Sequence, residues 1–125
     1  MPEALLVEQP ELNGDLDRLT EALTAAFAEA KGAVLDDRSV VFLLDDRDLL
    51  GQRGVVEAAL ATGILGLMRA LALEGARPGW RLNAVSGRGE EDVEQVWASA
   101  RWLAESTLSG QLIRVGTAQI GKVCP

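Results

Sequence analysis

Histidine and tyrosine are absent from the 125 residues, and cysteine occurs once. Without histidine there is no Ser-His-Asp triad, no imidazole general base and no histidine metal ligand. A single cysteine, Cys124, excludes an internal disulfide framework and a multi-cysteine zinc site. Its one basic neighbour is Lys122, and the thiol reads as inert. Positive charge is also short, with 12 Lys and Arg against 19 Asp and Glu, a net charge of −7. Phosphate recognition needs clustered cations, so no nucleic-acid partner is expected. The start, Met1-Pro2-Glu3, has no basic region leading into an apolar core. No signal peptide is therefore read, and a soluble cytoplasmic protein is the expectation.

The rest is ordinary globular material. Hydrophobic residues make up 48% and charged residues 25%, which argues for one packed domain rather than a disordered chain. The charge is uneven. Residues 1–37 hold Glu3, Glu8, Glu11, Asp15, Asp17, Glu21, Glu29, Asp36 and Asp37 against Arg18 and Lys31, so this segment carries the whole net charge. It reads as a solvated helix face or as an acidic docking surface for a basic partner.

Apolar periodicity predicts alternating strands and helices. Ala4–Val7 is a short apolar run ended by Glu8, Gln9 and Pro10. After the Asn13-Gly14-Asp15 turn, Leu16, Leu19, Leu23, Ala26, Phe27 and Ala30 fall at helical spacing up to Lys31, with Gly32 as the stop. Val40–Leu44 is continuously apolar, as in a strand buried on both faces. Asp45 to Gly54 reads as a polar loop, and Val55 to Glu74 as a second helix. A turn at Arg77-Pro78-Gly79 precedes a strand over Trp80–Val85, then a loop from Ser86 to Gly89. Glu90 to Glu105 forms a third helix, with Val93, Val96, Trp97, Ala100, Leu103 and Ala104 as its apolar positions and Trp102 off that stripe. Gln111–Val115 is a fourth strand. Crossovers of this length predict an α/β fold with a parallel sheet, four strands in chain order and, by default, right-handed connections.

The second helix, VVEAALATGILGLMRALALE, is charged only at Glu57, Arg69 and Glu74. A surface helix needs one apolar stripe, and this one is apolar all round. It must be covered by the sheet on one side and by something else on the other. A membrane span has this length, but the internal Glu57 and Arg69 and the flanking strand patterns favour a helix of another protomer, and no membrane contact is expected.

Residues 62–74, TGILGLMRALALE, lead into Arg81-Leu82-Asn83-Ala84-Val85, and Trp102-Leu103-Ala104 precedes Ser109-Gly110-Gln111-Leu112-Ile113-Arg114-Val115. These segments resemble the second half of a short-chain dehydrogenase/reductase, with Ala4–Gln9 in the place of the strand that ends in Asn-Asn-Ala-Gly. The resemblance implies a half-Rossmann, three-layer fold with a four-stranded, mostly parallel sheet and three main helices. It also implies what is missing. The family's Gly-rich dinucleotide turn has no counterpart, and Glu8-Gln9-Pro10 replaces the Asn-Asn-Ala-Gly end. The catalytic serine position falls near Leu44 or Asp45, the tyrosine position on Glu57 and the lysine position on Ala61. Ser86-Gly87-Arg88-Gly89 replaces the Pro-Gly that comes after the third strand. No NAD(P) or other cofactor is therefore expected.

Two functional classes are open. In the first, the protein is non-catalytic and acts by association, as a homodimer or higher homo-oligomer or as a pseudo-subunit of a complete enzyme of that family. Family subunits commonly pair through the two corresponding helices, which implies contacts from Leu19, Leu23, Phe27, Ala59, Gly63, Gly66, Leu67 and Ala70. In the second, the scaffold carries changed chemistry, with Asp45, Asp46 or Glu57 as acid or base in a closed pocket, or residual oxidoreductase activity completed by a partner. Each candidate has a plainer reading. Asp45-Asp46-Arg47-Asp48 offers hard oxygen ligands for a cation, or is a solvated loop; no metal is expected there. Glu57 is a general base or an exposed first-turn glutamate favoured by the helix dipole. Gly87-Arg88-Gly89 is a weak glycine pair in a loop.

Overall fold

A computed structural model describes residues 3–116; Cys124 and Lys122 lie outside them. Four strands, β1 (Leu5–Glu8), β2 (Val40–Asp45), β3 (Leu82–Gly87) and β4 (Leu112–Arg114), form one sheet in the order β1-β2-β3-β4. All three pairings are parallel, with Val7 beside Phe42, Phe42 beside Ala84 and Ala84 beside Leu112. The helices are α1 (Leu19–Leu35), the single-turn α2 (Asp46–Leu49), α3 (Val55–Glu74) and α4 (Val93–Glu105). The class is α/β, a half-Rossmann-like arrangement of three layers with three long helices.

Strand alternation divides the core. Val40, Phe42, Leu44, Leu82 and Ala84 face α1 and α3, where Leu60, Ile64, Met68 and Leu71 are buried. Val41, Leu43 and Val85 face α4 through Val96, Ala100 and Leu103. Each large side chain removed from water there contributes about 1.5–3 kcal/mol. By length and composition α3 could cross a membrane, yet here it is the central helix of the larger core.

The strands succeed one another in one direction, but α1 and α3 lie on one face and α4 on the other. The β3–α4–β4 connection therefore has the opposite hand to the two before it, and the expectation of uniformly right-handed crossovers is overturned. The physical reason is occupancy. The first face is already filled by α1 and α3, and the narrow stripe of α4 fits the face left bare.

Several boundaries also differ. Helix α1 does not stop at Gly32 but runs on to Leu35. Asp37 takes the left-handed conformation at φ 61, and the Arg38 and Asp37 N–H groups close back onto the Ala33 and Val34 carbonyls at 2.9 and 3.1 Å. That is a Schellman close made with aspartate instead of glycine. The α1 start is a 3-10 turn at Leu16–Arg18, capped by the Asp15 carboxylate on the Asp17 N–H. Ser86 and Gly87 belong to β3 rather than to a loop. A 3-10 turn at Gly89–Asp92 precedes α4, and Val93 is exposed rather than part of its stripe, whereas Trp102 is exposed off the stripe, as its spacing indicated.

Candidate functional site at the carboxyl ends of the strands

In an open parallel sheet, ligands meet the chain beyond the carboxyl ends of the strands. Those ends place Glu8 at the end of β1 with Gln9 just after it, Asp45 at the end of β2, and Gly87 at the end of β3. The segment after β2 is not the solvated loop expected from Asp45 to Gly54. The Asp45 carboxylate caps α2 by accepting from the Arg47 N–H at 2.9 Å, and the turn carries Asp46 and Asp48 inward to 1% and 0% exposure.

Buried carboxylates need partners, and each aspartate has an arginine. Arg47 donates to both oxygens of Asp45, Nε at 3.0 Å and Nη2 at 2.6 Å. Arg114 donates to Asp46 through Nε at 2.7 Å and Nη2 at 2.9 Å, and the Ser86 hydroxyl adds a bond at 2.9 Å. Arg53 forks onto Asp48 at 2.9 and 2.6 Å and lies 3.5 Å from Asp45. Gln9 bridges the set. Its amide donates to Asp48 at 2.8 Å and its carbonyl accepts from the Asp45 N–H at 3.0 Å. Three aspartates are thus matched by three arginines, and the remaining acidity near the strand ends rests on the exposed Glu8 and Glu11.

The pairing fixes the chemistry. Burial would push the Asp45 carboxyl up, but the Arg47 hydrogen bonds and the Arg53 and Arg47 charges outweigh it and hold the group below its ordinary value. For Asp46 burial again pushes up, and the bonds from Arg114 and Ser86 with the Arg114 charge prevail. The changed-chemistry reading required a carboxylate with a raised pKa, and Asp45 and Asp46 are shifted the other way. Such groups are ionised and occupied at neutral pH, poorly suited to carrying a proton. Among the described residues no group of three or more Cys, Asp or Glu side chains is placed to hold a metal ion.

Glu57 is also not the exposed first-turn residue of the plainer reading. It is 6% exposed, and its Oε1 accepts from the Gly14 N–H at 2.8 Å while Oε2 has no partner. Gly14 adopts φ 75, which suits glycine. The bond ties the first turn of α3 to the turn ahead of α1. Beside the arginine network lies an open cleft of about 310 Å³, lined in part by Gln9, Leu43, Asp45, Arg53, Gly87 and Trp97. Asp46 and Glu57 do not line it. Of the three candidate carboxylates, only Asp45 therefore reaches this cleft.

Sequence reasoning missed Gln9, Arg53 and Arg114, and read Asp48 as a cation ligand or part of a solvated loop rather than as a buried arginine partner. The one signal available was the Asp-Asp-Arg-Asp run directly after a fully apolar strand, where the chain leaves the core and charge is only partly hydrated.

The residues expected to form an interface split into two groups. Leu19, Leu23 and Leu67 pack against the chain's own core, and Leu23 lies so close to Gly63 that a Cβ there would meet its Cδ2 at 2.8 Å. These positions serve the α1–α3 contact inside the chain. Phe27, Ala59, Gly66 and Ala70 are exposed.

No protein-family model matches the chain, and the search of curated proteins found no match.

Proposed function

We propose that the protein is non-catalytic, resembles the short-chain dehydrogenase/reductases, and acts by association through the outer face of α1 and α3. The observation that carries this reading is the apolar stripe left on α3. Val55, Ala59, Gly66, Ala70 and Leu73 recur at helical spacing and are all exposed, Val55 at 84% and Leu73 at 80%, with Thr62 and Arg69 as the exposed polar residues of the same face. Phe27 of α1 adds an aromatic ring at 44%. Large aliphatic side chains flank small residues, so a partner helix can approach the α3 backbone closely, and monomers seldom leave such a face in water. A second copy of the chain or the matching helices of a full-length family member would fit it.

The arginine-paired strand ends support the same reading from the other direction. Acid–base catalysis by Asp45, Asp46 or Glu57 finds less support, since the first two are held as ion pairs and the third is buried against Gly14 outside the cleft.

Sedimentation velocity tests the proposal. A Cβ at Gly66 meets no atom within 4 Å, so Gly66→Arg leaves the fold unstrained, and Ala70→Glu is equally exposed. The wild type should sediment as a dimer or larger at low micromolar concentration, and either variant as a monomer with an unchanged circular dichroism spectrum. A monomeric wild type would overturn the reading.

A further inference from the structure

The helix face is not the only surface left open. Strand β1 pairs with β2 on one side only. Its Leu5 N–H donates to the Ser39 carbonyl at 2.8 Å, and the Gln9 N–H to the Leu43 carbonyl at 2.9 Å. Hydrogen bonds of a parallel strand alternate in direction. The N–H and C=O groups of Leu6 and Glu8 therefore point away from β2, and among the described residues no strand receives them.

Both sides of this edge are hollow. Toward α1 lies a groove of about 360 Å³, with Leu12, Ala22, Ala25 and Ala26 in its lining and Glu21 and Glu29 among its polar groups. Toward α4 lies one of about 500 Å³, lined by Leu6, Ala104, Arg101 and Glu105 among others. An added strand sends successive side chains to opposite faces, so an edge with a groove on each face suits one. The α1 groove holds Glu21 and Glu29 against Arg18, with Glu8 at its rim, whereas Arg81 and Arg101 balance Glu3 and Glu105 in the other.

From this arrangement we propose that the β1 edge is an acceptor site for an extended, basic segment of another protein, added as a fifth strand. Main-chain bonds to Leu6 and Glu8 hold the segment. Its lysine or arginine stems lie over Ala22, Ala25 and Ala26, with the charged ends at Glu21 and Glu29. Its alternate apolar side chains enter the α4 groove beside Leu6 and Ala104. A second copy of this chain is the wrong occupant, because edge-to-edge pairing brings Glu8, Glu21 and Glu29 of both chains together. The site is on the opposite side of α1 from Phe27, so it is independent of the helix-face association.

A capped hexapeptide alternating lysine and valine, fluorescently labelled, is the probe, with the full chain as receptor. Anisotropy should show saturable binding that weakens about tenfold in E21K/E29K, where two exposed attractions become repulsions, and weakens again as salt rises. A peptide N-methylated along the face that pairs with β1 should lose binding, because it cannot donate to the edge. Amide exchange should slow at Leu6 and Glu8 in the complex, while Leu5 and Gln9, already bonded, stay unchanged. Equal binding of the N-methylated peptide would reduce the effect to charge attraction and overturn the proposal. So would equal binding of a glutamate–valine peptide, absence of binding, or protection of Leu6 and Glu8 that rises with protein concentration alone.

Discussion

The Asp46–Arg114 pair makes the sharpest test of how the strand ends are built. Asp46 is 1% exposed, while the Arg114 side chain keeps 27% of its surface in water. The two truncations are therefore unequal. Arg114→Met leaves a buried carboxylate with the Ser86 hydroxyl as its remaining donor of the three. Removing one partner of such a pair costs about 3–5 kcal/mol, which for a chain of this length is roughly a 10–20 °C fall in Tm. Asp46→Asn removes the charge but keeps an acceptor for Arg114 and Ser86, and the half-wet guanidinium is readily hydrated. That loss should be about 1–2 kcal/mol. Urea titration with tryptophan fluorescence as the signal measures both. The pH dependence separates the causes. In the wild type Asp46 lies below the ordinary 3.8, so lowering pH from 7 to 5 changes little. Without Arg114, burial is the dominant influence on Asp46 and it favours the neutral acid. The folded variant then takes up a proton before the unfolded chain does, and its deficit shrinks as pH falls toward 4. Equal losses for the two variants, or a deficit of Arg114→Met that does not change with pH, would refute the account of Asp46 as an arginine-neutralised buried charge.

Three further outcomes are expected. Asp45 and Asp46 are both depressed below 3.8; their contribution is complete above that value and is lost as pH falls through the folded values, so acid unfolding monitored by circular dichroism should begin near pH 4 and not near 6. Gly75→Ala puts a Cβ into the Trp80 ring, costing about 1–3 kcal/mol, with a change in the near-ultraviolet spectrum that reports the displaced indole. NADPH added to the protein should show no saturable change in nicotinamide fluorescence, since the strand ends present Glu8, Gln9 and arginine-paired aspartates; micromolar saturation would contradict this.

The elements that periodicity determines were legible in the sequence. Helix α3 runs from Val55 to Glu74 as its unbroken apolar pattern indicates, and the five-residue run Val40–Leu44 lies in one of the sheet's two central buried strands. The misreadings are alike in that the residue's own chemistry allowed two states and a contact outside it, local for Gly32 and long-range for Glu57 and Asp46, chose between them. Gly32 can end a helix, yet Asp37 five residues later took the left-handed position and Gly32 stayed inside. Glu57 suits an exposed first turn, but the Gly14 turn folds over it from 43 residues away. Asp46 and Asp48 have the composition of a solvated loop, and only the arrival of Arg114 and Arg53 makes their burial tolerable. The face chosen by α4 is of the same kind, because nothing in its own sequence says which side of the sheet is already full.

These long-range pairings bear on where function can reside. A parallel sheet offers its ligand site where the strands end, and a site there needs polar groups with unspent hydrogen-bonding capacity. In this chain that capacity is largely used internally: Asp45 by Arg47, Asp46 by Arg114 and Ser86, Asp48 by Arg53 and Gln9. The network ties β1, β2 and β4 together at one end. Among the described residues, Glu57 Oε2 is buried without a partner at the start of α3, and the other open groups lie away from the strand ends. They are the apolar stripe of α3 with Phe27, and the main-chain groups of Leu6 and Glu8 beside an acidic groove. Helix α1 separates the two and contributes to both, with Phe27 on one side and Ala22, Ala25 and Glu29 on the other. The proposed association and the proposed strand addition therefore both draw on surfaces away from the strand ends, and sedimentation and peptide binding test them separately.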